Sequence, residues 1–198
     1  MLASPVVDRD LLRRKLAELA EYVSQVSEYR DLTVERYRAE WKTQRIVERT
    51  LQMAIETCLD IASHVLADRK LGAPSTYGET FVILMEAGLM SRGLGRVMVE
   101  MTGFRNVIVH EYARIDADTV VRILREHLED FRRFEAEALA FHEKLRDGFL
   151  TLAANEPGRC VLIDATLPKE EVSEQIWRVV TKRLDPATAP IAFEEVAS

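Results

Sequence analysis

From residue 8 to about residue 152, apolar residues recur at three- and four-residue spacing, and residues 1–150 show no convincing strand pattern. A chain written this way buries itself by packing helix on helix. Leu11, Leu12, Leu16, Leu19, Val23 and Val26 make the first stripe, over residues 8–29, with Asp8 as its expected N-cap. A second helix is expected from about Leu32 to Ala67, on Ile46, Leu51, Ala54, Ile55, Cys58, Leu59, Ala62 and Val65. Its early half, Glu35 to Glu48, is much more polar and reads as exposed or interfacial. Leu71-Gly72-Ala73-Pro74-Ser75 ends it. Shorter helices are expected around Tyr77–Ala87 and around Leu94–Met101, the latter stopping near Gly103. A further helix starts close to Phe104. Asp116 reads as the N-cap of a long helix through Leu124, Leu128 and Phe131 toward Leu152.

After residue 150 the pattern changes. Asn155-Glu156-Pro157-Gly158 is a turn, and Arg159-Cys160-Val161-Leu162-Ile163-Asp164 reads as a short buried strand. Pro168 then precedes a helix with Val172, Ile176, Val179 and Val180 on one stripe. The expectation is an all-α bundle over residues 1–137 and a tail over 138–198 made of a helix continuation, a short strand and a helix. A lone strand has no sheet partner for its ladder groups. It must pair across a dimer, pack irregularly or stay partly disordered.

The net charge of −6 gives no global basic field of the kind many nucleic-acid binders carry. Arg92, Arg96, Arg105 and Arg114 bracket one stretch of sequence and offer a local basic patch instead. Cys58 and Cys160 lie far apart without metal-ligand spacing, which fits a reduced cytoplasmic compartment. The longest apolar runs, such as Phe81 to Met85, are far too short to span a bilayer, so no membrane association is expected.

The stretch that carries chemistry is Arg105-Asn106-Val107-Ile108-Val109-His110-Glu111-Tyr112. Arg offers a planar fork of donors to a phosphate. His moves protons near neutral pH. Arg105 and His110 lie about 140° apart around an ideal helix, so one copy does not converge them; facing copies in a two-fold dimer would. Asn106 and His110, four apart, share a face. The Arg-x4-His spacing recurs at Arg122 and His127, without the Asn and Tyr, in a charged stretch that reads as a solvated helix face. His64, near Ile61 and Val65, reads as a core or interface histidine. His127 and His142 read as surface residues. No HExxH, carboxylate cluster or Cys/His set is present, so neither metal nor cofactor is expected.

The string Arg-Asn-x-x-Val-His-x-Tyr resembles the HepT-like branch of the HEPN ribonuclease toxins. The likeness covers residues 8–137. It extends to Glu48–Glu56, Cys58–His64, Pro74, Tyr77, Phe81, Leu84, Met101–Phe104 and the stretch from Ile115 to Phe131. The resemblance implies an HEPN-type helical bundle and a homodimer with its site at the interface. It implies metal-independent RNA cleavage by Arg105 and His110, with Asn106 orienting the substrate. It also implies a nucleotidyltransferase antitoxin that adenylylates Tyr112. A non-catalytic HEPN module that binds a nucleotidyltransferase or a nucleotide is the alternative. From about Phe134 the chain also resembles the C-terminal end of thymidylate kinases, on Phe141–Arg146, Glu156-Pro157, Val161–Ala165 and Glu170–Trp177. It has no GxxxxGK[ST] phosphate loop, so a kinase-related regulatory role is the weakest reading and phosphoryl transfer is not expected.

Overall fold

The computed structural model describes residues 9–110 and 115–184, and the expected cap at Asp8 lies outside them. Two compact units divide the chain between His142 and Glu143.

The first unit is a helical bundle. Helix α1 (Arg9–Ser27) lies along α3 (Trp41–Arg69), and α4 (Tyr77–Glu86) pairs with α5 (Arg92–His110). Helix α3 touches both α4 and α5, which makes it the central element. The short α2 (Val34–Ala39) packs on α3 and on α6 (Ala117–Arg122). One turn of π-helix (Ile123–His127) joins α6 to α7 (Leu128–Asn155). The apolar stripes meet in one core, in which Leu19, Leu51, Ile55, Phe81, Leu94, Met98, Leu124 and Phe131 are fully buried. Phe81 meets Phe134 edge to face at 6.1 Å between ring centres. Cys58 is buried there too, and burial pushes its thiol well above the usual range.

Local chemistry sets the helix ends. Thr33, Thr76 and Asp116 cap α2, α4 and α6 by accepting from Arg36 N, Glu79 N and Thr119 N. Helix α4 ends on Gly88, at φ 68°, where Leu89 N reaches back to Leu84 O. That left-handed residue turns the chain so that α5 can return along α4.

Three expectations change. The single helix over Leu32–Ala67 is two helices, broken at Glu40 (φ −112°, ψ 85°). Side chains stabilise the break: Gln44 Nε2 donates to the carbonyls of Tyr37 and Arg38, and Thr43 Oγ1 donates to Glu40. The bend also tucks part of the polar stretch inside. Tyr37 and Glu48 are both buried, and the Tyr37 hydroxyl donates to Glu48 Oε1 at 2.6 Å. Burial, together with the Glu48 carboxylate, pushes the Tyr37 phenol well up.

Gly103 does not stop a helix. Helix α5 runs unbroken from Arg92 to His110. Met101 and Thr102 beside it are buried, while Gly103 faces outward. Core packing there outweighs the roughly 1 kcal/mol that glycine costs a helix interior.

Finally, the segment Arg159–Asp164 forms no strand, and no strand occurs among the described residues. Its backbone closes a turn just past the end of α7: the amides of Arg159 and Cys160 both donate to Glu156 O. With no neighbouring strand to share ladder bonds, local turn bonds win. Helix α8 (Lys169–Leu184) follows, tied to this segment by Arg183 Nη1 on Arg159 O at 2.9 Å. Its apolar stripe is not buried, and Ile176, Trp177 and Val180 are exposed.

Tyr37→Phe should cost about 1–3 kcal/mol, because it leaves the buried Glu48 carboxylate short of a donor. Urea unfolding of the full chain checks this. An unchanged midpoint would mean that the bond contributes nothing net.

Candidate functional site

The last two turns of α5 and the loop into α4 form the walls of a cleft of about 750 Å³. Pro74, Ser75, Thr76, Tyr77 and Thr80 contribute from the loop and α4, and Ser63 from α3. Gly103, Asn106, Val107 and His110 contribute from α5. Their three- and four-residue spacing is one face of a helix. Asn106 and His110 thus share the cleft, as their spacing predicts, and both side chains are exposed. Among the described residues, no side chain hydrogen-bonds His110.

Arg105 points elsewhere. It does not line the cleft, and its side chain is 14% exposed. Nε and Nη2 both donate to Glu56 Oε1 on α3, at 3.0 and 2.7 Å. Nη1 leans toward Asn106 Oδ1 at 3.4 Å. The guanidinium carbon sits 4.9 Å from the centre of the Tyr77 ring, within cation–π range. Burial raises the Glu56 carboxyl, but hydrogen bonds from Gln52 and Arg105, with the nearby charges of Arg105 and Arg49, outweigh it and hold the carboxyl below the usual range. One edge of Arg105 is therefore anchored to α3, one ring face of Tyr77 is covered, and Asn106 links both to the cleft.

Sequence reading singled out neither Glu56 nor a role for Tyr77. Glu56 lies 49 residues before Arg105, so no local spacing could pair them. The available signal was a carboxylate, one of two with Asp60, set beside the apolar stripe in the middle of α3. At the mouth of the cleft, Glu79 accepts from the amide and hydroxyl of Ser75, which lowers its carboxyl. The N-terminus of α4 is thereby already occupied by the chain's own carboxylate.

The remaining candidates fall as follows. Tyr112 and Arg114 lie outside the described residues. Arg92 and Arg96 are exposed at the other end of α5 and make no patch around the motif. Fourteen residues from Arg96 to His110 span about 21 Å. His64 is partly buried in a hollow lined by Leu12, Lys15, Asp60 and Ile61, with its Nε2 buried and unpartnered.

His127 is not a plain surface residue. Its Nδ1 lies 2.9 Å from Asp130 Oδ2, and Asp130 is buried and also takes Arg133. His127 and Arg122 line the same hollow of about 80 Å³, floored by Met101, Phe104 and Ile123. The π-turn explains this, because i→i+5 geometry brings residues five apart toward one side. No three His, Cys, Asp or Glu side chains cluster as a metal site among the described residues. No helix among them is long and apolar enough to cross a membrane.

The chain is 30% identical over 126 residues to the mRNA nuclease HepT of Shewanella oneidensis, covering 63% of this chain and 93% of that protein. It is 26% identical over 121 residues to the tRNA nuclease HepT of Aphanizomenon flos-aquae, covering 61% and 82%. A separate, shorter likeness of 55% over 58 residues links it to the thymidylate kinase of Rhodopseudomonas palustris, but spans only 25% of that enzyme. Among solved structures, the tri-AMPylated HEPN toxin of Shewanella oneidensis in complex with its MNT antitoxin superposes with a TM-score of 0.63. It is 28% identical, covering 67% of this chain and 98% of that one. Residues 19–138 match the model of the HepT-like ribonucleases, and the chain belongs to that family.

Proposed function

We propose that this chain is the ribonuclease toxin of a toxin–antitoxin pair, with His110 and Arg105 as its catalytic residues. The observation that carries this reading is the shared cleft. An exposed imidazole and an exposed carboxamide line one concave wall, with a guanidinium fixed just behind them, in a chain of the HepT-like family.

RNA carries its own nucleophile. The 2′-hydroxyl attacks the adjacent phosphorus, a base takes its proton, and the bond to the 5′-oxygen breaks as an acid protonates that leaving oxygen. His110 takes one of these roles in one protomer, and its copy across a two-fold dimer takes the other. Arg105 stabilises the charge that builds on the phosphate oxygens. Glu56 occupies one edge of the guanidinium, and the outer donors remain for the phosphate. Asn106 orients a phosphate oxygen. No step here calls for a metal.

The two faces of α5 support a homodimer: Arg105 is held on Glu56 of α3 while His110 lines the cleft, and a facing copy would complete the constellation. The partner is a nucleotidyltransferase antitoxin, supported by the complex that the related toxin forms. Adenylyl groups added to Tyr112 would bring negative charge to an anion site and block RNA. The free cysteines and the lack of a membrane-crossing helix among the described residues support a cytoplasmic setting. The alternative, a non-catalytic binding module, is favoured by one observation: Glu56 already pairs the motif's arginine.

His110→Ala should lower RNA cleavage by about 10²–10⁴-fold and Arg105→Ala by about 10²–10³-fold, with circular dichroism unchanged. His127→Ala should cut like wild type. Cleavage should persist in chelator. If folded His110→Ala cuts normally, the binding-module reading takes over.

Incubation with the antitoxin and ATP should add adenylyl groups that mass spectrometry finds on wild type and not on Tyr112→Phe. Addition to both would move the acceptor elsewhere.

The Glu56 carboxyl is depressed below its ordinary 4.5, so its pairing adds stability above that value and loses it as pH falls through the lower folded one. Wild type should therefore exceed Glu56→Gln in urea midpoint near pH 7, and the gap should close in acid. A gap that persists at about pH 3 would mean that charge is not what Glu56 contributes.

A further inference from the structure

We infer that Tyr77 is a nucleobase platform, and that the stacked pair Arg105–Tyr77 reads one nucleotide as a unit, phosphate on the guanidinium side and base on the ring. This rests on the ribonuclease reading above and says which part of the RNA the cleft grips.

Tyr77 is the first residue of α4 and lines the cleft that holds Asn106 and His110. It is 49% exposed, and among the described residues of the cleft wall it is the one phenyl-type ring. The Arg105 guanidinium lies over its ring, 4.9 Å from the centre. Arg105 is in turn fixed to Glu56 by two hydrogen bonds. The ring thus has a backing and still offers half its surface. Bases splayed from single-stranded RNA stack on aromatic faces in this way, and stacking tolerates any base because each has a π-face.

Ser75 and Thr76 line the cleft two and one residues before the ring and are tied to Glu79, and Thr80 is buried. That leaves Asn106 as the exposed amide that meets the ligand beside the ring. A volume of about 750 Å³ admits a nucleotide with its neighbours. Asn106 ties the two halves together, since it lines the cleft and its Oδ1 faces Arg105 Nη1. A phosphate held near Arg105 and Asn106 therefore leaves its own base within reach of Tyr77.

The test uses the full-length chain and a short unstructured RNA whose scissile position wild type has first mapped. That oligonucleotide is remade with a 2′-deoxy group at the scissile position, so that it binds without being cut. Two further versions each carry an abasic residue on one side of that position. Tyr77→Leu should weaken binding of the intact oligonucleotide by at least about fivefold, and Tyr77→Phe by little. On one of the two abasic oligonucleotides, wild type and Tyr77→Leu should bind alike, because the stacked base is gone. A merely structural role, propping Arg105, would leave the same ratio on every oligonucleotide and would overturn the platform. So would unchanged binding by Tyr77→Leu in a chain that cuts RNA. If wild type neither binds nor cuts RNA, the ribonuclease reading falls first and the platform with it.

Discussion

The unbroken run of α5 from Arg92 to His110 is the constraint from which the site follows. A helix advances about 100° per residue, so residues five apart face different neighbours. Arg105 meets Glu56 of α3 and the Tyr77 ring of α4, and His110 meets the cleft. Had the helix broken at Gly103, the first turn would have been free to swing Arg105 round. Because Met101 and Thr102 are packed into the core, it is not. The burial of the motif's cation and the place of Asn106 and His110 in one wall both descend from that geometry.

The second Arg-x4-His pair shows the same rule from the other side. Arg122 and His127 flank a π-turn, and there the five-residue spacing does converge on one small hollow. That hollow is floored by apolar side chains, and His127 is held by the buried Asp130. Identical spacing thus produces two different arrangements, decided by one extra residue per helical turn.

Much of this was legible in the sequence, and the failures have physical causes. Long stripes on α1 and α3, the cap at Asp116 and the buried Cys58 could be read from local periodicity. The shared face of Asn106 and His110 needed only helix geometry. The break at Glu40 was hidden because its makers, Gln44 and Thr43, act as side-chain caps within a stretch that scores as ordinary polar helix. The stretch holding Tyr37 and Glu48 reads as exposed or interfacial because each residue is polar alone; buried together they satisfy one another. Glu56 was out of reach, since its partner lies 49 residues on. The apolar run at Cys160–Ile163 looked like a strand, but a strand is a property of a pair, and no second strand occurs among the described residues.

The central claim is that this cleft cuts RNA through the substrate's own 2′-hydroxyl, with His110 moving the proton. Mass spectrometry of the products from a defined oligoribonucleotide tests it most directly, beside the same oligonucleotide with 2′-deoxy at the cut position. Attack by the 2′-hydroxyl leaves a 2′,3′-cyclic phosphate on one fragment, a 5′-hydroxyl on the other, and no cut at the deoxy position. Cleavage that proceeds there unchanged, or leaves a 5′-phosphate, would contradict it.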